Sequence, residues 1–518
     1  MGLFMGIDAG TSGIKAIVLD DSGNVLGTGF EECSLISQKP NWAEQNPEDW
    51  WDACCSAVKT AALSSGRSDE IISIGLSGQM QGSVLMDKAM KPLGKCMIWL
   101  DQRASAEAEE LSGVLDRAVM LDIAGNFCMP SNWAPKLLWL KRNTPEIFEN
   151  ISTVLFPKDY LRYMMTGEIA TEVSDASATF LLDLKKRNWS DVLINEAGLP
   201  REILPSRMLE SCDVAGYLQS HIAEQWGLKN GIPVVAGGGD QPVGAIGCGA
   251  VQSGVIAVSI GTSGVVFGVC DTPILIAKRR AIHNLCHSVP GKYCFLGCTL
   301  GAGGSLKWLR DTIFEKERDE LNSKRQDVYD YMSSLASKVF PGSEGLCFLP
   351  YLNGESTPHI DANARGVFFG LSYRHDRKSL CRSVMEGVTF SLRDTIEVLR
   401  ENTQIDISEV RASGGGSKSD LWRQIQADVF NAAVITMNIE EGPAGGAAIL
   451  AAVGSGHFDS VEEACDAIIK THSTIEPIQK NVRIYDEYYE TYRGLYSSLK
   501  HAFKSQAEIT NKYLAQTH

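Results

Sequence analysis

Two four-residue turns constrain this chain more than any other feature. Gly10-Thr11-Ser12-Gly13 lies between two apolar, β-rich runs, Leu3–Asp8 and Ile14–Leu19. Gly261-Thr262-Ser263-Gly264 lies between two more, Val255–Ile260 and Val265–Val269. Gly, Ser and Thr are common, so the four letters alone carry little. The same strand-turn-strand context occurs near the start and again after a long helical stretch, and that points to a duplicated domain. A chain of 518 residues accommodates two domains of ordinary size. We place the boundary near residue 253, which gives segments 1–253 and 254–518. Two similar domains face each other across a cleft.

The opening reads as a β-meander: Leu3–Asp8, Ile14–Leu19 and, after the turn Asp21-Ser22-Gly23-Asn24, Val25–Phe30. No helix follows the first glycines, so neither a P-loop nor a dinucleotide-binding fingerprint starts here. A helix is predicted over 47–63. Asn46 can cap it, Pro47 suits its first position, and Glu48 and Asp49 suit its positive end. A strand over 71–76 leads into the polar loop Ser77–Gly82, and a second short run ends at Asp101-Gln102-Arg103. Helical patterns then dominate to about 230. The second half reads as helical at 303–338, 378–401 and 420–432, with a strand at 409–412 before Gly414-Gly415-Gly416 and a helical tail after 480.

Composition matters at three points. The 48 Lys and Arg stand against 63 Asp and Glu, a net charge of −15, which argues against a nucleic-acid partner. The 14 cysteines form no CxxC pair, so zinc-ligand spacing is absent and reduced thiols are expected, in keeping with a cytoplasmic protein. From Ile232 to Cys270 the one charged residue is Asp240. The glycines in that stretch break any membrane-spanning helix. A lone carboxylate in so apolar a run is either a structural cap or a functional group.

Phosphoryl transfer needs amides that hold phosphates, a carboxylate for a metal, and a base at the acceptor hydroxyl. Small-residue hairpins supply the amides, because glycine lets successive N–H groups converge on an anion. Gly10, Thr11, Ser12, Gly261 and Thr262 fit that part. One such turn alone is more often a plain β-turn; the matched pair favours ligand binding. Asp8, at the end of the first strand, suits Mg²⁺. Lys15, on the second strand, faces either phosphate or solvent. Asp240 follows three glycines and can accept a proton from a substrate hydroxyl.

Together these residues resemble the FGGY carbohydrate kinases, within the actin/hexokinase-like ATPases. The resemblance runs from Gly6 to about Arg493. It rests on Gly6–Ser12, Trp42–Trp51, Ala134–Leu140, Gly237–Gln241, Ser259–Gly264, Gly366–Leu371 with Val384–Gly387, and Gly414–Ser417. It implies an α/β fold of two ribonuclease-H-like domains with a cleft between them, ATP and Mg²⁺ as cofactors, Asp240 as base and Asp8 near the metal. By position in the matching segments it also places Gly303, Lys307, Gly415 and Ser419 near the nucleotide. The expected sugar-binding set is Met80, Gln81, Asp101, Arg103, Asp240 and Gln241. A small-molecule sugar and ATP are the expected partners, with no nucleic acid or membrane; a homodimer is left open.

Within the family the chain is most similar to the kinases of pentuloses, through Phe156–Arg162 and Phe348–Glu355. It departs from them at one place. Those kinases commonly carry Gly-Gln-Met-His-Gly, whereas this chain has Gln81 in place of the histidine. Glutamine keeps donor and acceptor capacity but has no titratable proton. D-xylulose is the leading acceptor, and another ketose or polyol stays in play. A non-catalytic actin-like nucleotide binder is the contrasting reading, and the presence of Asp240 argues against it.

Overall fold

The computed structural model describes residues 2–114, 116–274, 282–403, 405–439 and 441–514. In the first half the expected meander forms β1 (Leu3–Ala9), β2 (Gly13–Asp20) and β3 (Val25–Glu32), each antiparallel to the next. Helix α1 (Pro47–Ser65) begins with proline in its first turn and ends at Gly66, which has φ 65°. Strand β4 (Ile71–Gly78) lies parallel to β1. Helices α2 (Trp133–Asn143), α3 (Pro157–Thr166) and α4 (Val173–Ala176) follow. Strands β5 (Val214–Tyr217), β6 (Pro233–Val235) and β7 (Gly238–Gly239) complete the sheet, and α5 (Asp240–Gly247) starts directly after β7. The order is β5-β6-β4-β1-β2-β3, with β7 pairing with β4.

The second half repeats this plan. Strands β8 (Val255–Ile260) and β9 (Gly264–Cys270) form the second hairpin, and β10 (His283–Cys286) and β11 (Tyr293–Thr299) extend it. Helices α6 (Gly303–Ile313) and α7 (Arg377–Asn402) precede β12 (Glu409–Gly414), which is parallel to β8. Helix α8 (Asp420–Phe430), β13 (Ala433–Met437), α9 (Gly442–Gly454), α10 (Val461–Ile468), β14 (Thr471–Ile475) and α11 (Gln479–Leu514) follow. The order is β10-β11-β9-β8-β12-β13-β14. In each sheet an antiparallel hairpin carries a parallel strand on its open side, then a second parallel strand, then an antiparallel edge. The duplication expected from the two turns is therefore a duplication of strand topology. This is the two-domain α/β architecture of the actin/hexokinase-like ATPases.

The strands at the centre of each sheet are apolar and buried along their length, as strands covered on both faces must be. The expected boundary near residue 253 falls in the loop between α5 and β8. The sequence reading missed that α9 and α10, from the second half, pack on the first sheet. Phe4, Ile17, Val243 and Ile246 share one apolar cluster with Ala444, Ala447, Ala448, Leu450 and Val461. The contact is backbone to backbone: a Cβ on Gly6 would stand 1.9 Å from the carbonyl oxygen of Ala444. Gly6→Ala is expected to destabilise the fold by about 1–3 kcal/mol through this overpacking. Its urea midpoint, compared with that of the parent, tests this; an unchanged midpoint would show that α9 can move away at no cost.

All fourteen cysteines are unpaired. No helix among the described residues is long and apolar enough to cross a membrane.

Candidate active site

The site forms where chain ends converge. Asp8 is the penultimate residue of β1, opposite Lys15 on β2 and Ser77 on β4. Burial pushes its carboxyl up to about 6, against the opposing pull of the Ser77 side chain and the Lys15 ammonium. Its Oδ1 is buried with no hydrogen-bond partner. Lys15 forms an ion pair with Glu441, just before α9.

Asp240 opens α5 immediately after β7, which pairs with the last residues of β4. Burial and then the charge of Asp8 push its carboxyl up to about 7; the backbone and side chain of Gln241 pull the other way. Both carboxylates are buried and ionisation of Asp8 opposes that of Asp240. The loop before Asp240 is gripped on three sides. The Arg162 guanidinium donates to the Ala236 carbonyl at 2.8 Å, Gly239 N–H donates to Ser174 Oγ at 3.1 Å, and Ser174 and Ser288 hydroxyls lie 3.1 Å apart. Met80 packs on Gly239, where an added Cβ would come within 2.7 Å of its Cγ. That close approach places the Met80-Gln81 loop beside Asp240.

Beneath this loop lies a group of fully buried charges. Lys158 Nζ is 2.7 Å from Asp159, 3.3 Å from Glu172 and 3.4 Å from Asp175, and Arg162 is 2.7 Å from Asp159. Burial drives the Asp175 carboxyl well above its ordinary range; Lys158 opposes this, while Glu172, Asp159 and Asp240 add to it. Both Asp175 oxygens lack a hydrogen-bond partner.

The first hairpin belongs to a polar network. Thr11 Oγ1 donates to Gln79 Oε1 at 3.2 Å and accepts from Trp99 Nε1 at 2.9 Å, and Gln79 Nε2 donates to Gln45 Oε1 at 2.7 Å. The Thr11 hydroxyl is thus committed to protein partners, while Gly10 and Ser12 remain at the surface of the turn. The second hairpin docks on α6. Gly303 N–H donates to the Gly261 carbonyl at 2.8 Å and Gly304 N–H to Thr262 at 2.9 Å. Gly414 lies level with Ile260 in the β8–β12 register, so the Gly414–Gly416 turn sits beside Gly261. The structure therefore brings Gly261, Thr262, Gly303 and Gly415 together.

Four expected site residues face elsewhere. Lys307 is 59% exposed and pairs with Asp311 at 2.8 Å along α6. The Ser419 hydroxyl caps α8, accepting from Trp422 N–H at 3.2 Å, and lies 3.0 Å from Ser333 Oγ. Asp101 and Arg103 are buried and paired at 2.6 Å. Arg103 also reaches Glu44 at 2.7 Å and stacks 3.5 Å over Trp42, while Asp101 accepts from Ala43 N–H at 2.8 Å. They secure the Trp42–Glu44 segment. The sequence reading missed Trp99, an indole 44% exposed above the first hairpin, and it missed Ser174 and Asp175, which stand in a stretch with no motif of their own.

Among the described residues no group of three or more His, Cys, Asp and Glu side chains is placed to hold a metal ion alone. Asp8 with its open Oδ1 fits a Mg²⁺ site of the kind completed by phosphate oxygens and water.

The chain also resembles known proteins. Residues 3–247 match the N-terminal domain of the FGGY family of carbohydrate kinases, and residues 256–455 match its C-terminal domain. The chain is similar to the xylulose kinase of Staphylococcus epidermidis, 37% identical over 98% of this chain and 99% of that one. It is similar to the xylulose kinase of Bacillus subtilis, 37% identical over 96% and 97%. The crystal structure of xylulose kinase from Rhodospirillum rubrum superposes with a TM-score of 0.88, at 28% identity over 97% of this chain and 100% of that one.

Proposed function

This chain belongs to the FGGY family of carbohydrate kinases, and we propose that its reaction is transfer of the γ-phosphoryl group of ATP to the primary hydroxyl of D-xylulose. The observation that carries the mechanism is Asp240, a carboxyl at the head of α5 that burial and Asp8 push up to about 7. In the reaction Asp240 accepts the proton of the O5 hydroxyl. The O5–Pγ bond forms as the bond from Pγ to the bridging oxygen breaks, and ADP leaves with that electron pair. Gly10 and Ser12 on one side, with Thr262 on the other, hold the phosphates through backbone N–H groups; the N–H of Gly261 is taken by the Ser263 carbonyl at 3.0 Å, and its lack of a side chain lets the phosphates come close. Gly303 and Gly415 line the nucleoside side. Asp8 would hold Mg²⁺ through its open oxygen, where the ion would supply charge neutralisation for phosphoryl transfer. Met80, Gln81 and Gln241 contact the sugar, and Trp99 offers it an apolar face. Fourteen unpaired thiols suit the reducing cytoplasm.

The xylulose assignment draws on relatives that carry that name over nearly the whole chain and on the Met80 loop seated beside the base. ADP release over a panel of pentuloses, hexuloses and polyols tests it. D-xylulose is expected to give the highest kcat/KM, and a panel in which no pentulose stimulates ADP release would overturn the substrate.

A further inference from the structure

Lys136 is fully buried in α2. Its Nζ donates to three backbone carbonyls, those of Gln81, Met97 and Ile98, each at 2.9 Å. An ammonium has three N–H donors, and here each one meets an oxygen. The three carbonyls belong to two separate segments. Gln81 sits in the loop against Asp240, and its φ of 67° is unusual for a residue with a side chain. Met97 and Ile98 lead directly into Trp99, whose indole is bonded to the first hairpin. The ammonium is thus the common point of the loop carrying Gln81 and the segment carrying Trp99.

We propose that Lys136 is a positioning residue for the acceptor sugar: in its protonated form it clamps the Gln81 and Trp99 segments in the spacing that binds substrate, and loss of its proton opens that clamp. This rests on the sugar-kinase reading above. A neutral amine has two donors and a lone pair, so one of the three carbonyls would face a lone pair instead of a proton. The strained Gln81 backbone is the part with most to gain by relaxing.

The charge state of this clamp is poised. Burial pulls the Lys136 ammonium down to about 8; Cys96 and Asp101 raise it, and Arg103 lowers it further. These are the charged and titratable groups facing it. The Cys96 thiol, itself within the influence of Glu44 and Asp101, is pushed up to about 12, beyond the range that matters here. The sign for stability is opposite to the sign for binding. Folding lowers the affinity of Lys136 for its proton, so above pH 8 the folded state releases a proton that the unfolded chain keeps. The contribution of this group to stability therefore rises with pH, while sugar binding weakens.

The test uses the whole wild-type enzyme with D-xylulose and MgATP, between about pH 7 and pH 9.5. The KM for sugar is expected to climb with a midpoint near pH 8, by up to about tenfold per pH unit. The KM for ATP stays level, kcat rises by no more than about twofold as the Asp240 carboxyl near 7 finishes ionising, and the thermal midpoint does not fall in step. A sugar KM that is flat across the range overturns the clamp, as does an ATP KM that climbs in parallel. No turnover at any pH overturns the kinase reading and the clamp together, which distinguishes that failure from a flat KM. Lys136→Met gives a second measurement: its sugar KM is expected to be high already at pH 7.5 and independent of pH. A variant that retains the alkaline rise assigns it to another group and overturns the proposal.

Discussion

Asp240→Asn is expected to fold, to bind sugar, and to turn over about 100- to 10,000-fold more slowly, the usual contribution of a positioned base. Asparagine matches the shape of the carboxyl at the head of α5 but cannot accept the proton. The effect belongs in kcat, with the sugar KM little changed. In the parent enzyme, with the Asp240 carboxyl near 7, kcat is expected to fall as pH drops through 7; the residual rate of the variant should lack that limb. Stability moves the other way. Folding raises the affinity of Asp240 for its proton, so the stability tied to this group is present at low pH and lost as pH rises through about 7. Above pH 7 the parent carries an ionised carboxylate beside Asp8 that the variant lacks. At pH 8 Asp240→Asn should therefore melt higher than the parent. Stopped assays of sugar phosphate formation and a thermal melt at pH 6 and pH 8 read both arms. Turnover near that of the parent would remove Asp240 from the role of base, and a lower melt at pH 8 would remove the carboxylate repulsion.

The features legible in the sequence are those in which chemistry and chain direction coincide. The two small-residue turns announce a repeated strand-turn-strand unit, and the repeat is real at the level of topology because β8 and β9 pair as β1 and β2 do. Asp240 is legible because it is the sole charge in an apolar stretch. Packing between distant segments leaves no such mark. The run Gly442–Gly454 is small and apolar on every side, so it shows no stripe to say which sheet it covers; it returns to the first sheet because Gly6 and Gly75 leave room for its backbone. The partners of Asp101 and Arg103 are hidden for a related reason. A carboxylate and a guanidinium two residues apart look available for a ligand, but the chain folds them onto each other and onto Glu44. The sequence marks a residue as able to bind and leaves its partner undetermined. For Lys136, a lysine inside an apolar helix, it gives no hint that three carbonyls wait for it.

The buried charges beneath the Asp240 loop lead to the largest expected loss of stability. Lys158 is the only cation that touches Glu172 or Asp175, among the pairs described. With both cations charged and all three carboxylates ionised, Lys158 and Arg162 against Asp159, Glu172 and Asp175, the cluster would carry a net negative charge in a region closed to water. A proton on Asp175, whose carboxyl burial drives upward, brings it to neutrality. Asp159, by contrast, is held ionised: burial opposes this, but Arg162 and Lys158 outweigh it. Lys158→Met takes the cation from Glu172 and leaves Asp159 to Arg162 alone, so the buried cluster keeps an uncompensated negative charge; it is expected to destabilise by about 3–5 kcal/mol, a large part of the roughly 5–15 kcal/mol that holds a protein folded. Asp175→Asn replaces a neutral acid by a neutral amide of the same shape and is expected to fall within about 1 kcal/mol of the parent. Urea midpoints of the two variants at pH 7 decide the matter. If Asp175→Asn is as damaging as Lys158→Met, Asp175 is ionised in the folded protein and the proton resides elsewhere. If Lys158→Met is nearly silent, the cluster is not closed to water, and the Arg162–Ala236 and Ser174–Gly239 contacts that steady the base are held by something other than buried charge.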